Sequence, residues 1–166
     1  NNYATRMIQD GLAYNGLVVA ADWQSEGRGQ RGKVWESSPG QNVIMSLILE
    51  PKPIIDIYAL SFGIPVAVAT ALNEFMPECQ VSIKWPNDIY INDRKICGIL
   101  IEHSVAGANL SASIVGIGIN VNQLTFPSDL PNPTSMAVES GQKFDRKEVL
   151  ELFIAKLTYL YSELEQ

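Results

Sequence analysis

Residues 24–35 are the part of the sequence that most limits what this chain can fold into. They combine glycines, which let backbone amides approach an anion closely, with cations that can pair with it. The glycines are Gly27, Gly29 and Gly32, and the cations are Arg28, Arg31 and Lys33. The whole chain is acidic, with a net charge of -6. This local reversal of charge predicts a loop that binds an anionic ligand; a surface turn with scattered cations is the simplest alternative.

The residues that follow the loop decide which known glycine-rich loop it can be. The Gly-x-Gly-x-x-Gly pattern of dinucleotide sites opens a helix, whereas residues 34–40 include Trp35, two serines and Pro39. A Walker loop fails because Val34 stands where a hydroxyl must bind magnesium. A kinase loop fails because the chain lacks His-Arg-Asp and Asp-Phe-Gly. We therefore expect the loop to join two strands.

The composition is that of a folded globular protein. With 166 residues, of which 46% are hydrophobic and 18% charged, the chain is expected to form one domain over residues 1–166. Its acidic charge argues against nucleic-acid binding, and the absence of a leader or membrane-length apolar run predicts a cytoplasmic protein. Cys79, Cys97 and the single histidine, His103, indicate neither a disulfide scaffold nor a zinc site. His103 is expected at the surface or in a loop.

Hydrophobic periodicity predicts an α+β fold, in which a central mixed, largely antiparallel sheet is flanked by helices. Helices are expected over residues 2–10, over 58–75 and from 145 towards the end of the chain. Pro65 is expected either to kink the second helix or to begin another. Strands are expected over residues 17–22, 42–49, 81–85, 88–92, 95–102 and 110–120.

Two further groups of residues stand at predicted strand ends. Residues 84–88, Lys-Trp-Pro-Asn-Asp, break a strand at a proline and bring a cation, an amide and a carboxylate to one place. Residues 116–120, Gly-Ile-Gly-Ile-Asn, thin a strand with glycines, so a ligand can approach its backbone. Each group alone is more often an ordinary strand end. Together with the glycine loop, they indicate a site.

Four segments together resemble the catalytic domain of biotin protein ligases. They are Gly-Arg-Gly-Gln-Arg-Gly-Lys-x-Trp at 27–35, Lys-Trp-Pro-Asn-Asp at 84–88, Lys-Ile-Cys-Gly-Ile-Leu-Ile-Glu at 95–102 and Gly-Ile-Gly-Ile-Asn at 116–120. Pro-Thr-Ser-Met at 133–136 is similar to a later family element. The resemblance spans nearly the whole chain and implies the class II synthetase-like fold of biotin and lipoate ligases.

The resemblance implies an ATP-dependent, AMP-forming reaction in two steps. Biotin and ATP, with Mg²⁺, form biotinoyl-5'-adenylate, and biotin then passes to a lysine of the biotin carboxyl carrier domain of a carboxylase. Attack of a carboxylate on the α-phosphate brings two anions together, so cations that bind both lower the repulsion. By resemblance, Lys84 and Arg28 are the catalytic residues.

The resemblance also divides the site between the two ligands. Biotin is expected to contact Asn1, Gln24, Gly27, Arg28, Lys84, Gly98 and Ile99. The nucleotide is expected to contact Arg28, Gln30, Arg31, Trp35, Asn87 and Asn120, with magnesium near Asn120. Gln24 is expected to hydrogen-bond the ureido ring, and Trp35 to stack on adenine or close the pocket. Asp88 is expected only to cap its turn.

The chain departs from the family pattern at several points. Gln30 stands where many members have arginine, so either Arg31 compensates or the adenylate leaves faster. Asn1 is what remains of a Ser-Thr-Asn element. The absence of a winged-helix domain and of a small C-terminal β-barrel predicts a monofunctional type without DNA control. Monomer and homodimer both remain open, the latter through edge strands within residues 81–120.

Three alternatives from other classes remain. A lipoate ligase shares the fold, but its Arg-Arg-x-Ser-Gly-Gly-Gly signature is absent here. A non-catalytic biotin or adenylate sensor would bind the ligand without pyrophosphate chemistry. A plain interaction domain would make Arg28, Lys84 and Asn120 coincidental surface residues. Exchange of labelled pyrophosphate into ATP, with biotin and lipoate compared, separates these alternatives.

Overall fold

The computed structural model describes residues 1–50, 57–106 and 109–164. Six strands form one sheet in the order β1-β2-β6-β5-β4-β3. They are β1 (Val18–Ala21), β2 (Val43–Leu49), β3 (Val81–Lys84), β4 (Asp88–Ile91), β5 (Arg94–Ala106) and β6 (Asn109–Ile119). The helices are α1 (Asn2–Gln9), α2 (Ile57–Phe75), α3 (Met136–Ser140) and α4 (Arg146–Leu164). No described helix is long and apolar enough to cross a membrane.

All neighbouring strands of the sheet are antiparallel. The parallel pairing found in the described residues is an isolated bridge between Lys95 and Pro133. The predicted α+β fold with a largely antiparallel sheet is therefore confirmed. Strand β5 runs beyond its predicted end at residue 102, because its ladder with β6 continues to Ala106.

The hydrophobic core lies on one face of the sheet. Side chains alternate between the two faces of a strand, so Leu47, Ile99 and Val115 fall on the same side. Helices α2 and α4 cover this side, and all three strand residues belong to one buried cluster with them. Helix α2 continues through Pro65, so the expectation of a second helix beginning there is wrong.

The opposite face is covered at one end by α1. Ala4 and Ile8 of this helix pack against Ile48 and Ile114 of the sheet. Beyond α1, the same face presents three glycines of β5 and β6, namely Gly98, Gly116 and Gly118. Because glycine has no side chain, this part of the sheet forms a floor that other groups can approach closely.

Three further observations correct or limit the predicted elements. Helix α3 was not predicted, because five residues are too few to establish a helical period. Of the strands within residues 81–120, only β3 lies at an edge of the described sheet, so β4, β5 and β6 offer no free edge for dimerisation. His103 lies half-buried in β5 rather than in a loop, with Nδ1 2.9 Å from Oγ of Ser113 on β6.

Candidate active site

A cleft of about 1270 Å³ opens on the glycine-bearing face of the sheet. Its floor comes from β2, β5 and β6, and its walls come from the glycine loop, the start of α1, residues 84–88 and residues 126–133. The predicted site residues that line it are Asn1, Gln24, Arg28, Gln30, Arg31, Trp35, Lys84, Asn87, Gly98, Ile99 and Asn120. Segments far apart in sequence therefore meet in one place.

Two predicted biotin contacts are placed differently. Gly27 is buried and is not among the described residues that line the cleft; a Cβ there would lie 2.0 Å from the Trp35 carbonyl oxygen. This glycine therefore lets the loop pack against itself. Ile99 borders the cleft, but its side chain is 2% exposed and belongs to the core on the other face. A contact with a ligand through the Ile99 side chain is therefore corrected.

The glycine loop is a closed hairpin. The Gly29 N–H donates to the Lys33 carbonyl at 2.7 Å, and the Trp35 N–H donates to the Gly27 carbonyl at 2.9 Å. The tip is a 3₁₀ turn over Gln30–Gly32, in which Arg31 has a left-handed φ of 56°. The prediction of a loop between two strands is confirmed, and its closure brings Trp35 back over the sheet.

The ring of Trp35 lies on the glycine floor. A Cβ added to Gly118 would lie 2.5 Å from Trp35 Cε2, and one added to Gly98 would lie 2.8 Å from Trp35 Cζ3. Trp35 Nε1 is buried and has no hydrogen-bond partner among the described residues. Gly98 was expected to let its strand lie against biotin, but in this structure it receives the indole. Trp35 therefore closes the floor of the cleft.

Lys84 stands at the outer rim of the cleft. It ends the edge strand β3 and is exposed, with Nζ 3.4 Å from the Tyr90 hydroxyl oxygen and 5.0 Å from the Tyr90 ring centroid. The register continues from Lys84 to Asp88 and from Asp88 to Gly98. Lys84 is thus two strands away from the glycine floor, farther than a lysine in contact with both substrates was expected to be.

Lys95 is a cation of the cleft to which the sequence interpretation gave no role. Its Nζ lies 2.8 Å from Asp88 Oδ1 and 5.7 Å from the Trp35 ring centroid, and its Cε approaches to 3.7 Å from a Cβ built on Gly98. Asp88 therefore forms an ion pair rather than only capping its turn. The available signal was position, because Lys95 begins the third resembling segment, three residues before Gly98.

Asn87 and Asn120 use their amides to connect parts of the cleft. Asn87 Nδ2 donates to the Ile99 carbonyl at 3.0 Å, which ties residues 84–88 to β5. Asn120 is 4% exposed, and its Nδ2 donates to the Thr134 carbonyl at 2.9 Å. Asn120 Oδ1 is buried and has no described partner. A buried acceptor without a donor is costly, so this oxygen suits a ligand donor or a cation.

Arg28 and Asn1 meet at one carboxylate. Arg28 Nη2 lies 3.1 Å from Glu102 Oε2, and Asn1 Nδ2 donates to the same oxygen at 2.7 Å. Asn1 Oδ1 accepts a hydrogen bond of 2.8 Å from Ser46 Oγ. The amide of Asn1 fits here because Gly116 is beneath it, where a Cβ would come within 2.4 Å of Oδ1.

Thiol and metal chemistry have little support in the described part of the chain. Burial raises the pKa of the Cys97 thiol, which therefore stays protonated at neutral pH, and Cys97 is fully buried in the core. The described residues contain no group of three His, Cys, Asp or Glu side chains that could hold a metal ion.

Comparison with known proteins gives consistent results. Residues 1–120 match the model of the Biotin/lipoate A/B protein ligase family. The bifunctional ligase/repressor BirA of Bacillus spizizenii is 42% identical over 143 residues, which are 84% of this chain and 44% of that protein. The biotin–[acetyl-CoA-carboxylase] ligase of Paracoccus denitrificans is 33% identical over 165 residues, which are 95% of this chain and 68% of that protein.

A solved structure extends the similarity to three dimensions. The biotin protein ligase from Aquifex aeolicus in complex with biotin and ATP superimposes with a TM-score of 0.83 at 32% identity, over 96% of this chain and 66% of that one. The chain spans less than half of the Bacillus relative. The resembling segments, the sheet and the matched residues agree, and the chain belongs to the biotin/lipoate A/B protein ligase family.

Proposed function

We propose that this chain is the catalytic domain of an ATP-dependent biotin–protein ligase, formed by residues 1–166. The observation that carries the proposal is the charge of the cleft. Six of the twelve lysines and arginines of this acidic chain line it. They are Arg6, Arg28, Arg31, Lys33, Lys84 and Lys95. Such a concentration suits a reaction between two anions, a carboxylate and a triphosphate.

The first step joins biotin to the α-phosphate. A carboxylate oxygen of biotin forms a bond to the α-phosphorus, the bond from that phosphorus to the bridging oxygen breaks, and pyrophosphate leaves. Arg28 is proposed to bind the carboxylate. Lys95, above the floor, is proposed to stabilise the charge that develops on the phosphoryl oxygens. Lys84 at the rim is proposed to attract the outer phosphates.

The uncharged groups of the cleft are proposed to orient the substrates. Asn1 and Gln24 supply amides for the ureido group, and the floor at Gly98 receives the flat ring system. Trp35 is proposed to move off this floor and cover the adenylate, or to stack on adenine. Asn87 supports the phosphate end by holding its turn against β5. Gln30 and Arg31, at the loop tip, are proposed to contact the nucleotide.

The second step transfers biotin to a protein. The ε-amine of a lysine of a biotin carboxyl carrier domain attacks the acyl carbon, AMP leaves, and the amine loses a proton as the amide forms. A cleft that is open on one side of the sheet suits a protein acceptor. We further propose a cytoplasmic location and no nucleic-acid ligand, on the ground of the acidic charge.

Magnesium fits this site as a partner of the nucleotide. Mg²⁺ prefers oxygen ligands, keeps several waters and is often held through substrate phosphates with few protein groups. The unpartnered, buried Asn120 Oδ1 is one suitable oxygen. When bound, the ion neutralises phosphate charge and so assists the departure of pyrophosphate.

The test is exchange of labelled pyrophosphate into ATP, measured with biotin, with lipoate and with neither. Biotin alone is expected to support exchange, and Lys95→Ala is expected to abolish most of it. Lys147→Ala, which changes an exposed lysine of α4, serves as the control and should retain exchange. Exchange with lipoate alone would mean a lipoate ligase. Biotin binding without exchange would mean a sensor, and the absence of both would overturn the proposal.

A further inference from the structure

We propose that Glu102 is a positioning residue for biotin binding, which holds Arg28 and Asn1 in place without touching the substrate itself. This role depends on the proposed function. Glu102 ends the third resembling segment, and no role follows for it from the sequence. Its carboxylate nevertheless lies at the junction of two walls of the cleft.

One oxygen of Glu102 joins segments that are far apart in the chain. Oε2 accepts from Asn1 Nδ2 at 2.7 Å, where Asn1 precedes helix α1, and lies 3.1 Å from Nη2 of Arg28 in the glycine loop. Arg28 has no other side-chain hydrogen bond or ion pair within the described residues. The contact with Glu102 is therefore the interaction that sets the direction of the guanidinium.

Glu102 is placed to act through its two partners. It lies on the same strand and face as Gly98 and Leu100, beyond the glycine floor and opposite Ile114 of β6, where α1 covers the sheet. It is not among the described residues that line the cleft, whereas Arg28 and Asn1 are. A substrate on the floor would therefore meet the guanidinium and the amide, with the carboxylate behind them.

The charges support orientation as the role of Glu102. A guanidinium has five N–H donors in a rigid fork, so engaging Glu102 on one nitrogen leaves donors for the carboxylate of a substrate. The side chains of Arg28 and Glu102 are 48% and 37% exposed, and ion pairs this exposed add little to folding stability. Their value lies in holding a long, flexible side chain in its binding position before the ligand arrives.

The consequence falls on biotin rather than on ATP, because both partners of Glu102 are proposed biotin contacts. Glu102→Ala is expected to raise the KM for biotin in pyrophosphate exchange roughly tenfold, the effect of one charge-assisted hydrogen bond. Glu102→Gln keeps an acceptor oxygen and should raise it less. The KM for ATP is expected to stay unchanged in both variants.

A double-mutant cycle separates positioning from a general loss of structure. If Glu102 acts largely through Arg28, Glu102→Ala should raise the KM much less in an Arg28→Ala background than in the original chain. Glu74→Gln is the matched control, because it removes a similar exposed ion pair, with Lys156 at 2.6 Å, between α2 and α4. This control should leave both KM values unchanged.

Each outcome bears on a definite statement. The original chain without biotin-dependent exchange would overturn the proposed function. Normal exchange in the original chain, with an unchanged or lower KM for biotin in Glu102→Ala, would overturn the role of Glu102 alone. So would equal rises in the KM for biotin and for ATP, or full additivity with Arg28→Ala. If Glu102→Ala does not fold, Glu102→Gln, which preserves the shape of the side chain, carries the same test.

Discussion

Gly98 of β5 and Gly118 of β6 are direct partners in the sheet, and the indole of Trp35 lies across both. A side chain at either position would collide with the ring, whose nearest atoms are 2.8 Å and 2.5 Å from the two Cβ positions. Two residues twenty positions apart thus act as one surface. The absence of side chains, rather than backbone flexibility, is what the cleft requires at these glycines.

Gly118→Ala should lift Trp35 from the floor. The added methyl lies too close to the indole, so we expect destabilisation of about 1–3 kcal/mol from overpacking, together with weaker biotin-dependent exchange. Urea unfolding, tryptophan fluorescence and pyrophosphate exchange measure these effects. Introducing the same change into Trp35→Ala should cost much less stability, because the clash is gone. An equal cost in both backgrounds would contradict the contact.

Lys95→Ala should impair adenylation more than Lys84→Ala. Lys95 lies above the glycine floor, whereas Lys84 lies at the rim beside Tyr90. Removing a donor that stabilises developing charge typically lowers the rate about 10²–10³-fold, and we expect this for Lys95→Ala. Lys84→Ala should chiefly raise the KM for ATP. Pyrophosphate exchange at saturating biotin measures both; a larger loss of rate in Lys84→Ala would reverse the assignment.

Asn42→Leu should destabilise the fold strongly. Asn42 is 1% exposed; its Oδ1 accepts from the Val121 N–H at 2.9 Å, and its Nδ2 donates to Gln123 Oε1 at 2.6 Å. Leucine fills the space but leaves both partners without this contact, which should cost about 3 kcal/mol. Urea denaturation measures the loss. Asn73→Leu, at an exposed position of α2, is the control and should change stability little.

His103 should make the fold less stable in mild acid. Burial lowers the pKa of His103 below its ordinary value of 6.5. The unfolded chain therefore binds more protons than the folded chain in this range, and the free energy of unfolding falls as the pH drops below about 6.5. Urea unfolding of the original chain and of His103→Gln, compared from pH 8 to 5, should show a shallower loss in the variant. Parallel profiles would contradict this prediction.

Local patterns were sufficient for most of the architecture. The six strands, α1, α2 and α4 coincide with the predicted segments to within a few residues, apart from the extension of β5. This is expected where apolar residues recur at the period of a strand or a helix, because that pattern already states which face is buried. Helix α3 escaped because its cap at Ser135 and its glycine end at Gly141 enclose only five residues.

The sequence by itself determined the family and the segments from which the cleft is made, because glycines, cations and amides at fixed spacing state which chemistry a backbone can support. Only the tertiary structure decided which side chains share a space. It turned Ile99 into the core, placed Lys84 at the rim and Lys95 over the floor, and brought Glu102 to Arg28 across the sheet. The reason is physical: local sequence sets strand parity and turns, whereas contacts between distant residues depend on how strands pair and which loop folds over them.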